Sequence, residues 1–160
     1  MKILKYTGLR WLWLSLLIVI VDLFSKEWVA QHFYFGEMQS LIPCVNCLYT
    51  YNFGIIFGIL NHSTIQYRWC FVLISICIII VLLRMMYRLD HSVIIVNMSY
   101  AMIIGGGLGN LFDRIFRGAV VDFIDFYIDK WHYPTFNIAD IAIVCGVFLI
   151  ICNDFLYYRR

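Results

Sequence analysis

Charged side chains are scarce in this sequence. Asp, Glu, Lys and Arg together make up 14% of the 160 residues, whereas 63% are hydrophobic and the mean hydropathy is +0.84. A chain of this composition cannot cover the surface of a water-soluble domain with polar side chains. The composition therefore indicates a single integral membrane domain over residues 1–160, with room for a few spanning helices and short connections.

Several patterns that carry chemistry in other proteins are also missing. The sequence has no His-Glu-x-x-His, and its four histidines lie in separate connections without metal-ligand spacing, so a metallopeptidase has little support. Serines near the predicted outer surface lack a His or Lys at a recognisable spacing, which disfavours nucleophilic catalysis. A net charge of +2 is too small to indicate a nucleic-acid partner. We therefore expect no metal, no cofactor and no nucleic acid.

Four apolar stretches approach the roughly 20 residues that a spanning helix needs. They cover about residues 9–30, 66–83, 92–112 and 138–158. Because lipid cannot satisfy bare backbone groups, and barrel strands would be shorter and alternating, runs of this length predict helices. The predicted fold class is an all-α membrane protein with four transmembrane helices.

The distribution of Lys and Arg predicts the orientation, since cytoplasmic flanks retain positive charge during insertion. One side of the predicted bundle has seven basic and two acidic residues, and the other has five basic and eight acidic residues. The seven basic residues are Lys2, Lys5, Arg10, Arg84, Arg88, Arg159 and Arg160. Both termini are therefore expected in the cytoplasm. The first helix leads into Asp22 without a small-x-small cleavage site, so it is expected to stay as an uncleaved anchor.

Two predicted outward connections, at about 31–65 and 113–137, are long for a small bundle, and long loops are commonly functional. The segment Cys47–Phe53 is rich in aromatic and β-branched residues, which predicts a short strand or hairpin ending at Gly54. The segment Val120–Tyr127 mixes aromatic and acidic residues, which is typical of a segment at the membrane surface. Together they predict a small β-like outward platform and a surface segment.

Ionisable residues at membrane depth are costly and mark functional candidates. Asp22 and Lys26 share one helical face, Asn110 and Asp113 close the third helix beside Arg114, and Asp140 opens the fourth. Together these residues predict one polar layer. The glycines at 105, 106, 107 and 109 precede Asn110. They allow close approach either of a neighbouring helix or of an extended substrate backbone, and the sequence leaves both interpretations open.

Several blocks of the sequence resemble one family. The blocks are Asn52-Phe53-Gly54-Ile55-Ile56-Phe57, Gly106-Gly107-Leu108-Gly109-Asn110-Leu111-Phe112-Asp113-Arg114, Gly118-Ala119-Val120-Val121-Asp122-Phe123 and Phe136-Asn137-Ile138-Ala139-Asp140. Their order and spacing resemble those of the bacterial lipoprotein signal peptidases, also called signal peptidase II. Ile55 and Ile56 depart from the small residues that the family often has there, which predicts a different local pocket shape.

The resemblance implies an intramembrane aspartic endopeptidase of the bacterial inner membrane, with its active site near the outer face. It implies that Asp122 and Asp140 are the catalytic pair. The supporting or substrate-binding positions that it implies are Asn52, Gly54, Asn110, Arg114, Asn137, Asp22 and Lys26. Its substrates would be prolipoproteins, cleaved before a diacylglyceryl-modified cysteine, and its other partners would be membrane lipids. We expect a monomer.

Simpler structural roles compete with these assignments. Asn137 and Asp140 also form the sequence of a helix capping arrangement. Asp122 alone has the character of a surface acid paired with Arg114 or Arg117, and Asp22 with Lys26 that of an intrahelical ion pair. The remaining acids of the second outward connection, Asp125 and Asp129, are expected to be solvated.

Three other functions were weighed against the peptidase. A quinone-linked thiol oxidase would use the outward Cys44-x-x-Cys47, which leaves a local disulfide open, but it needs a second cysteine pair that the other outward loop lacks. An intramembrane protease with a Gly-x-Gly-Asp motif is disfavoured because Asn110 stands in place of the acid. A small assembly or transport protein, whose polar layer binds an ion or a partner helix, would be inert toward lipoprotein precursors.

Overall fold

The structure is a computed structural model that describes residues 6–54 and 64–158. Some positions used in the predictions lie outside these residues. They are the four terminal basic residues Lys2, Lys5, Arg159 and Arg160, the departure at Ile55 and Ile56, and His62.

Four long helices form the body of the protein. A short 3-10 turn, Gly8–Trp11, leads into α1, Leu12–His32; α2 is Thr64–Arg88, α3 is Ile94–Phe116 and α4 is Ile138–Tyr158. By length and composition all four can cross a membrane, over Gly8–His32, Arg68–Arg88, Ile94–Phe116 and Ile138–Leu156. The prediction of four spanning helices is therefore confirmed.

Two helices extend beyond their predicted ends. Helix α2 continues to Arg88, past the predicted end at 83, and α3 continues to Phe116, past 112. Hydropathy marks only the apolar part of a helix, whereas the backbone ladder continues as long as its polar side chains find partners or water. At the end of α3, Arg68 donates hydrogen bonds to the carbonyl oxygens of Arg114 and Ile115 at 2.6 and 2.7 Å, which satisfies otherwise free carbonyls of the last turn.

Helix α3 is the central helix, packed against α1, α2 and α4. Its glycines explain how closely the helices approach. A Cβ atom at Gly105 would lie 2.9 Å from the carbonyl oxygen of Ser15 in α1, and one at Gly106 would collide with the carbonyl of Ala139 in α4. The Ser15 hydroxyl also donates to the Ala101 carbonyl at 2.7 Å. Helix packing is therefore the role that these two glycines have.

A four-stranded antiparallel sheet lies outside the bundle in the order β1-β2-β3-β4. The strands are β1 Met38–Ile42, β2 Val45–Asn52, β3 Val120–Ile128 and β4 Trp131–His132. The predicted strand at Cys47–Phe53 corresponds to β2. The turn between β3 and β4 has only two residues, and Asp129 in it adopts a φ of 53°, as tight hairpins require.

The segment predicted to lie at the membrane surface forms strand β3. It pairs with β2 on one side and β4 on the other, and Val120 and Val121 are buried. Its β-branched and aromatic residues fit a pleated, half-buried strand, and its backbone groups find partners in both neighbours. The segment Val120–Tyr127 is therefore part of the predicted β platform, and its place at the membrane surface stays a prediction.

Two groups of buried apolar side chains hold these layers together. One lies within the helix bundle and comprises Val72, Ile79, Met86, Tyr100, Ala101, Ile104 and Leu111. The other joins the end of α1 to the sheet and comprises Val29, Phe33, Cys47, Tyr49 and Val121. Many large apolar side chains elsewhere on the helices are exposed, as expected for surfaces that face lipid. Cys44 and Cys47 are both free thiols.

Candidate active site

The first turn of α4 holds Asp140 in a reciprocal capping arrangement. The side-chain oxygen of Asn137 accepts a hydrogen bond from the Asp140 backbone N–H at 2.9 Å, and Asp140 Oδ2 accepts one from the Asn137 N–H at 3.3 Å. This is the capping box that the sequence predicts. The Asp140 carboxyl thus lies at the positive end of the helix dipole, where negative charge is favoured.

Asp122 lies on β3 and is only 2% exposed. Its Oδ2 accepts a hydrogen bond from Asn52 Nδ2 at 2.9 Å, and its Oδ1 accepts one from Asn137 Nδ2 at 2.7 Å. The pairing of β2 with β3 is irregular just beside it, because β2 has one extra residue between Cys47 and Thr50. Such a bulge bends a strand and re-aims the side chains near it.

Asn137 connects the two acids. Its side-chain amide donates to Asp122, and its backbone N–H donates to Asp140. A second asparagine completes the link, because Asn110 Nδ2 donates to Asp140 Oδ1 at 2.8 Å while Asn110 Oδ1 accepts from Asn137 Nδ2 at 3.2 Å. Strand β3, helix α3 and helix α4 therefore bring Asp122, Asp140, Asn110 and Asn137 into one hydrogen-bonded network.

The pKa of the Asp122 carboxyl is raised from an ordinary 3.8 to about 6. Burial is the main cause, and the charge of nearby Asp140 raises the pKa further. The hydrogen bonds from Asn52 and Asn137 oppose these effects because they stabilise the ionised form. A buried carboxyl whose pKa is raised beside a second carboxyl is the arrangement expected of an acid and base pair.

Beneath this pair lies a fully buried ion cluster. Lys26 Nζ contacts Asp22 Oδ2 at 2.7 Å and Asp113 Oδ2 at 3.1 Å, and donates a hydrogen bond to Asn110 Oδ1 at 3.0 Å. Asp22 Oδ1 accepts from the backbone N–H of Ala139 at 2.9 Å, which ties α1 to the start of α4. Asp22 and Lys26 are therefore more than an ion pair within one helix, since they connect α1 to α3 and to α4.

Asp113 belongs to this cluster; it was predicted in the polar layer but not among the site residues. Its Oδ2 accepts a hydrogen bond from the Val121 backbone N–H at 3.1 Å, next to Asp122, and its Oδ1 contacts Arg117 Nε at 3.2 Å. The side chain is completely buried. Its position three residues after Asn110, on the same face of α3, was the available signal, because a second acid there faces the same neighbours.

The remaining predicted residues line an open cavity of about 760 Å³ beside Asp122. Asn52, Gly54 and Arg114 contribute to its wall. The Arg114 guanidinium lies 5.3 Å from the centre of the Phe71 ring, within the range of a cation–π contact. Gly54 has a φ of 79°, and a Cβ there would lie 2.5 Å from the Phe71 ring, so both backbone and space favour glycine.

The alternative ion pairs for Asp122 do not form. Among the described residues its hydrogen-bond partners are the asparagines, while Arg117 pairs with Glu27 at 2.6 Å and with Asp113. A second expectation was wrong: Asp125, predicted to be solvated, is 2% exposed. It is buried because Asn46 and His132 surround its carboxylate with donors, a pairing across the sheet that local sequence does not reveal.

Comparison with known proteins agrees with this geometry. The family model described as signal peptidase (SPase) II matches residues 14–156. The chain is 52% identical over 150 residues to the lipoprotein signal peptidase of Yersinia enterocolitica, and 51% identical to that of Yersinia pestis. Each of these alignments covers 94% of this chain and 89% of the relative.

Two solved structures of a bacterial membrane enzyme, obtained by the in meso method at 2.3 and 1.9 Å resolution, have the same fold. They superpose with TM-scores of 0.80 and 0.81, each at 31% identity and over 93% of this chain. The superpositions cover 89% and 94% of those chains. The match of the family model over most of the chain and the identity to the relatives agree with each other. The chain therefore belongs to the signal peptidase II family of membrane aspartic peptidases.

Proposed function

We propose that this protein removes the signal peptide from prolipoproteins, cleaving before a diacylglyceryl-modified cysteine by activation of water between Asp122 and Asp140. The observation that carries the proposal is the shared network of the two acids, in which one asparagine donates to both carboxyls beside a cavity large enough for a peptide segment. Membership of the family and the names of the Yersinia relatives support the choice of substrate.

In the proposed reaction Asp122 holds the proton that the pair shares, and Asp140 is ionised. The raised pKa of Asp122, about 6, supports the first assignment. The Asn110 donor and the capping N–H of Asn137 support the second, because both stabilise a carboxylate on Asp140. Two neighbouring carboxyls cannot both ionise cheaply, so such a pair titrates as a unit.

The chemistry then proceeds in two steps. Asp140 takes a proton from a water molecule as the water oxygen attacks the scissile carbonyl carbon, while the Asp122 proton is hydrogen-bonded to the carbonyl oxygen. The tetrahedral intermediate collapses when a carboxyl proton moves to the amide nitrogen and the C–N bond breaks. The products are the signal peptide with a new carboxylic acid, which then loses its proton to solvent, and the lipoprotein with a free cysteine amine. The carboxyl pair returns to its starting state.

The supporting residues have defined roles in this proposal. Asn52 and Asn137 orient Asp122, Asn110 orients Asp140, and the cluster of Lys26 with Asp22 fixes the helices that hold them. Gly54 and Arg114 form part of the wall along which an extended substrate backbone would lie. We propose that the monomer suffices, since every residue of the network comes from one chain.

The charge asymmetry of the sequence supports an orientation with both termini in the cytoplasm and the acids near the outer face of the inner membrane. The exposed Cys44, in the turn before β2, provides a test. A thiol reagent that cannot cross membranes should label Cys44 in intact spheroplasts. Labelling only after the membrane is opened would reverse the proposed orientation.

The decisive experiment follows signal-peptide release from a purified diacylated prolipoprotein in detergent. Asp122→Asn and Asp140→Asn should each reduce release by about 10⁴-fold or more, because each change removes one of two groups that transfer protons. Asp129→Asn is the matched control: this acid lies in the exposed β3–β4 turn with a positive φ that asparagine tolerates. Its rate should equal that of the wild type. Near-normal turnover by Asp122→Asn would refute the assignment.

A further inference from the structure

A second buried carboxyl lies three residues beyond Asp122 on β3 and has no part in the proposed chemistry. Both oxygens of Asp125 face Nδ1 of His132, at 2.8 and 2.9 Å, and Oδ2 also accepts a hydrogen bond from Asn46 Nδ2 at 2.8 Å. The carboxylate provides only acceptors, so Nδ1 of the imidazole is the donor. A buried carboxylate with two side-chain donors is a specific and costly feature, which calls for a reason.

His132, the partner of the Asp125 carboxylate, lies on the short strand β4. Strand β4 consists only of Trp131 and His132, and a ladder of two residues has little stability of its own. The His132 ring stacks on Tyr127, with centroids 5.4 Å apart and planes 21° apart. The contact between Asp125 and His132 is thus a main restraint on the chain where it leaves β4.

The chain that follows His132 separates two cavities. Pro134 and Thr135 line the 760 Å³ cavity that contains Asp122. Tyr133 and Phe136 line a second cavity of about 240 Å³, which contains Asp140 and has a mainly apolar wall. The segment 133–136 is therefore the wall between the two halves of the site, and each half holds one member of the acid pair.

Backbone hydrogen bonds hold this wall at its two ends, where the Phe136 carbonyl also accepts from the N–H groups of Phe123 and Ile124 at 3.0 and 2.8 Å. The Tyr133 N–H donates to the Phe126 carbonyl at 2.8 Å, and the Phe136 N–H donates to the Ile124 carbonyl at 3.1 Å. Pro134 has no N–H to donate, so the segment between these two points depends on how its ends are placed. His132 fixes the first of those ends.

We propose that Asp125 and His132 form a clasp that positions the wall 133–136 for substrate binding. The proposal rests on the proposed peptidase function. Asp125 and His132 are positioning residues, since the groups that meet substrate are those of the wall. When the clasp is broken, the wall samples other positions, and substrate binds only to the fraction of molecules in which the wall is correctly placed.

This mechanism predicts a specific kinetic effect. A hydrogen bond to a charged group that is lost on substitution is typically worth a factor of about ten or more in an equilibrium. If the correctly placed wall falls to about one-tenth of the population, the apparent affinity falls by the same factor. KM should therefore rise about tenfold while kcat stays within about twofold of the wild type, since substrate at saturation selects the correct position.

Three substitutions at His132 test the role of the Nδ1 donor. His132→Asn retains an amide donor close to the position of Nδ1, His132→Gln places the amide one bond further out, and His132→Leu has no donor. We expect KM for a diacylated prolipoprotein to rise about tenfold in the Gln and Leu variants and to remain near the wild-type value in the Asn variant. The matched control is His91→Leu, since His91 also contacts an aspartate, Asp90 at 3.3 Å, but lies in the α2–α3 connection away from the acid pair.

The outcomes separate this proposal from the proposed function. Equal KM values for all His132 variants and the wild type would overturn the clasp alone, provided that Asp122→Asn is inactive in the same assay. An Asn variant as impaired as the Gln variant would also overturn it, and this comparison decides the matter even if the Leu variant does not fold. Failure of the wild type to release a signal peptide would overturn the peptidase function, and with it the clasp.

Discussion

Replacement of Asp122 by Asn should abolish catalysis and yet stabilise the protein at neutral pH. The pKa of Asp122 is about 6 in the folded protein, against an ordinary 3.8. Above pH 6 the folded protein therefore holds an ionised carboxyl that burial disfavours, at a cost of about 3 kcal/mol. A neutral side chain of nearly the same shape removes that cost.

The gain is reduced by a lost hydrogen bond. Asn52 and Asn137 each donate to a separate oxygen of Asp122, and an asparagine has only one oxygen for them. One buried donor then lacks its acceptor, which costs about 1–2 kcal/mol. The net stabilisation should be about 1–2 kcal/mol, or a rise of about 2–8 °C in unfolding temperature for a chain of this size.

The stability difference between Asp122→Asn and the wild type should depend on pH. A group whose folded pKa is raised favours the folded state below its unfolded pKa, and that contribution is lost as the pH rises through the folded pKa. The advantage of Asp122→Asn should therefore be present at about pH 7.5 and absent near pH 4, where the native carboxyl is protonated. Thermal unfolding in detergent, followed by intrinsic fluorescence at both pH values, measures it. A variant less stable than the wild type at pH 7.5, or an equal difference at both, would refute the reasoning.

Two further predictions concern the same network. The kcat/KM of the wild type should fall as the pH rises above about 6, because Asp122 then loses the shared proton. Asn52→Ala removes a hydrogen bond that lowers the pKa of Asp122, so in this variant the fall should begin at higher pH. An alkaline limb that moved to lower pH would contradict this. Gly109→Ala should lower the unfolding temperature and the activity, because its Cβ would collide with the Asp22 carboxylate, whereas Gly107→Ala meets only open contacts beyond 3.5 Å and should be tolerated. Equal unfolding temperatures and activities of the two alanine variants would contradict a role for the close packing at Gly109.

The parts of the fold that the sequence predicts are those determined by local pattern. Long apolar runs predict four spanning helices because the backbone in lipid has few alternatives. The spacing of Asn137 and Asp140 predicts a capping box, and the structure has both of its hydrogen bonds. The strand around Cys47 was also predictable, since aromatic and β-branched residues cluster there.

The errors concern interactions across long sequence separations. Asp125 was expected in solvent, yet it accepts hydrogen bonds from Asn46, 79 residues away, and from His132, whose approach depends on the β3–β4 hairpin. The pairing of Val120–Tyr127 with β2 was not predicted, because it depends on the register between two distant loops. Asp113 was predicted in the polar layer but not as a site residue, because its direct contact with Lys26 joins two different helices.

The ion cluster of Lys26 and the asparagine network of the acid pair are subject to the same physical requirement. A buried charge is costly unless partners surround it, so Lys26 persists between Asp22 and Asp113 only because the helices hold all three in register. The ion cluster in turn restrains the helices. Because its charges tolerate little displacement, it fixes the relative positions of α1, α3 and α4 more closely than apolar contacts do, since apolar surfaces can slide past each other. Among the described residues neither Asp122 nor Asp140 has a cationic hydrogen-bond partner, and the amides that stabilise Asp122 only partly leave its pKa raised. A rigid ionic support beneath an incompletely stabilised carboxyl is what proton transfer at this site requires.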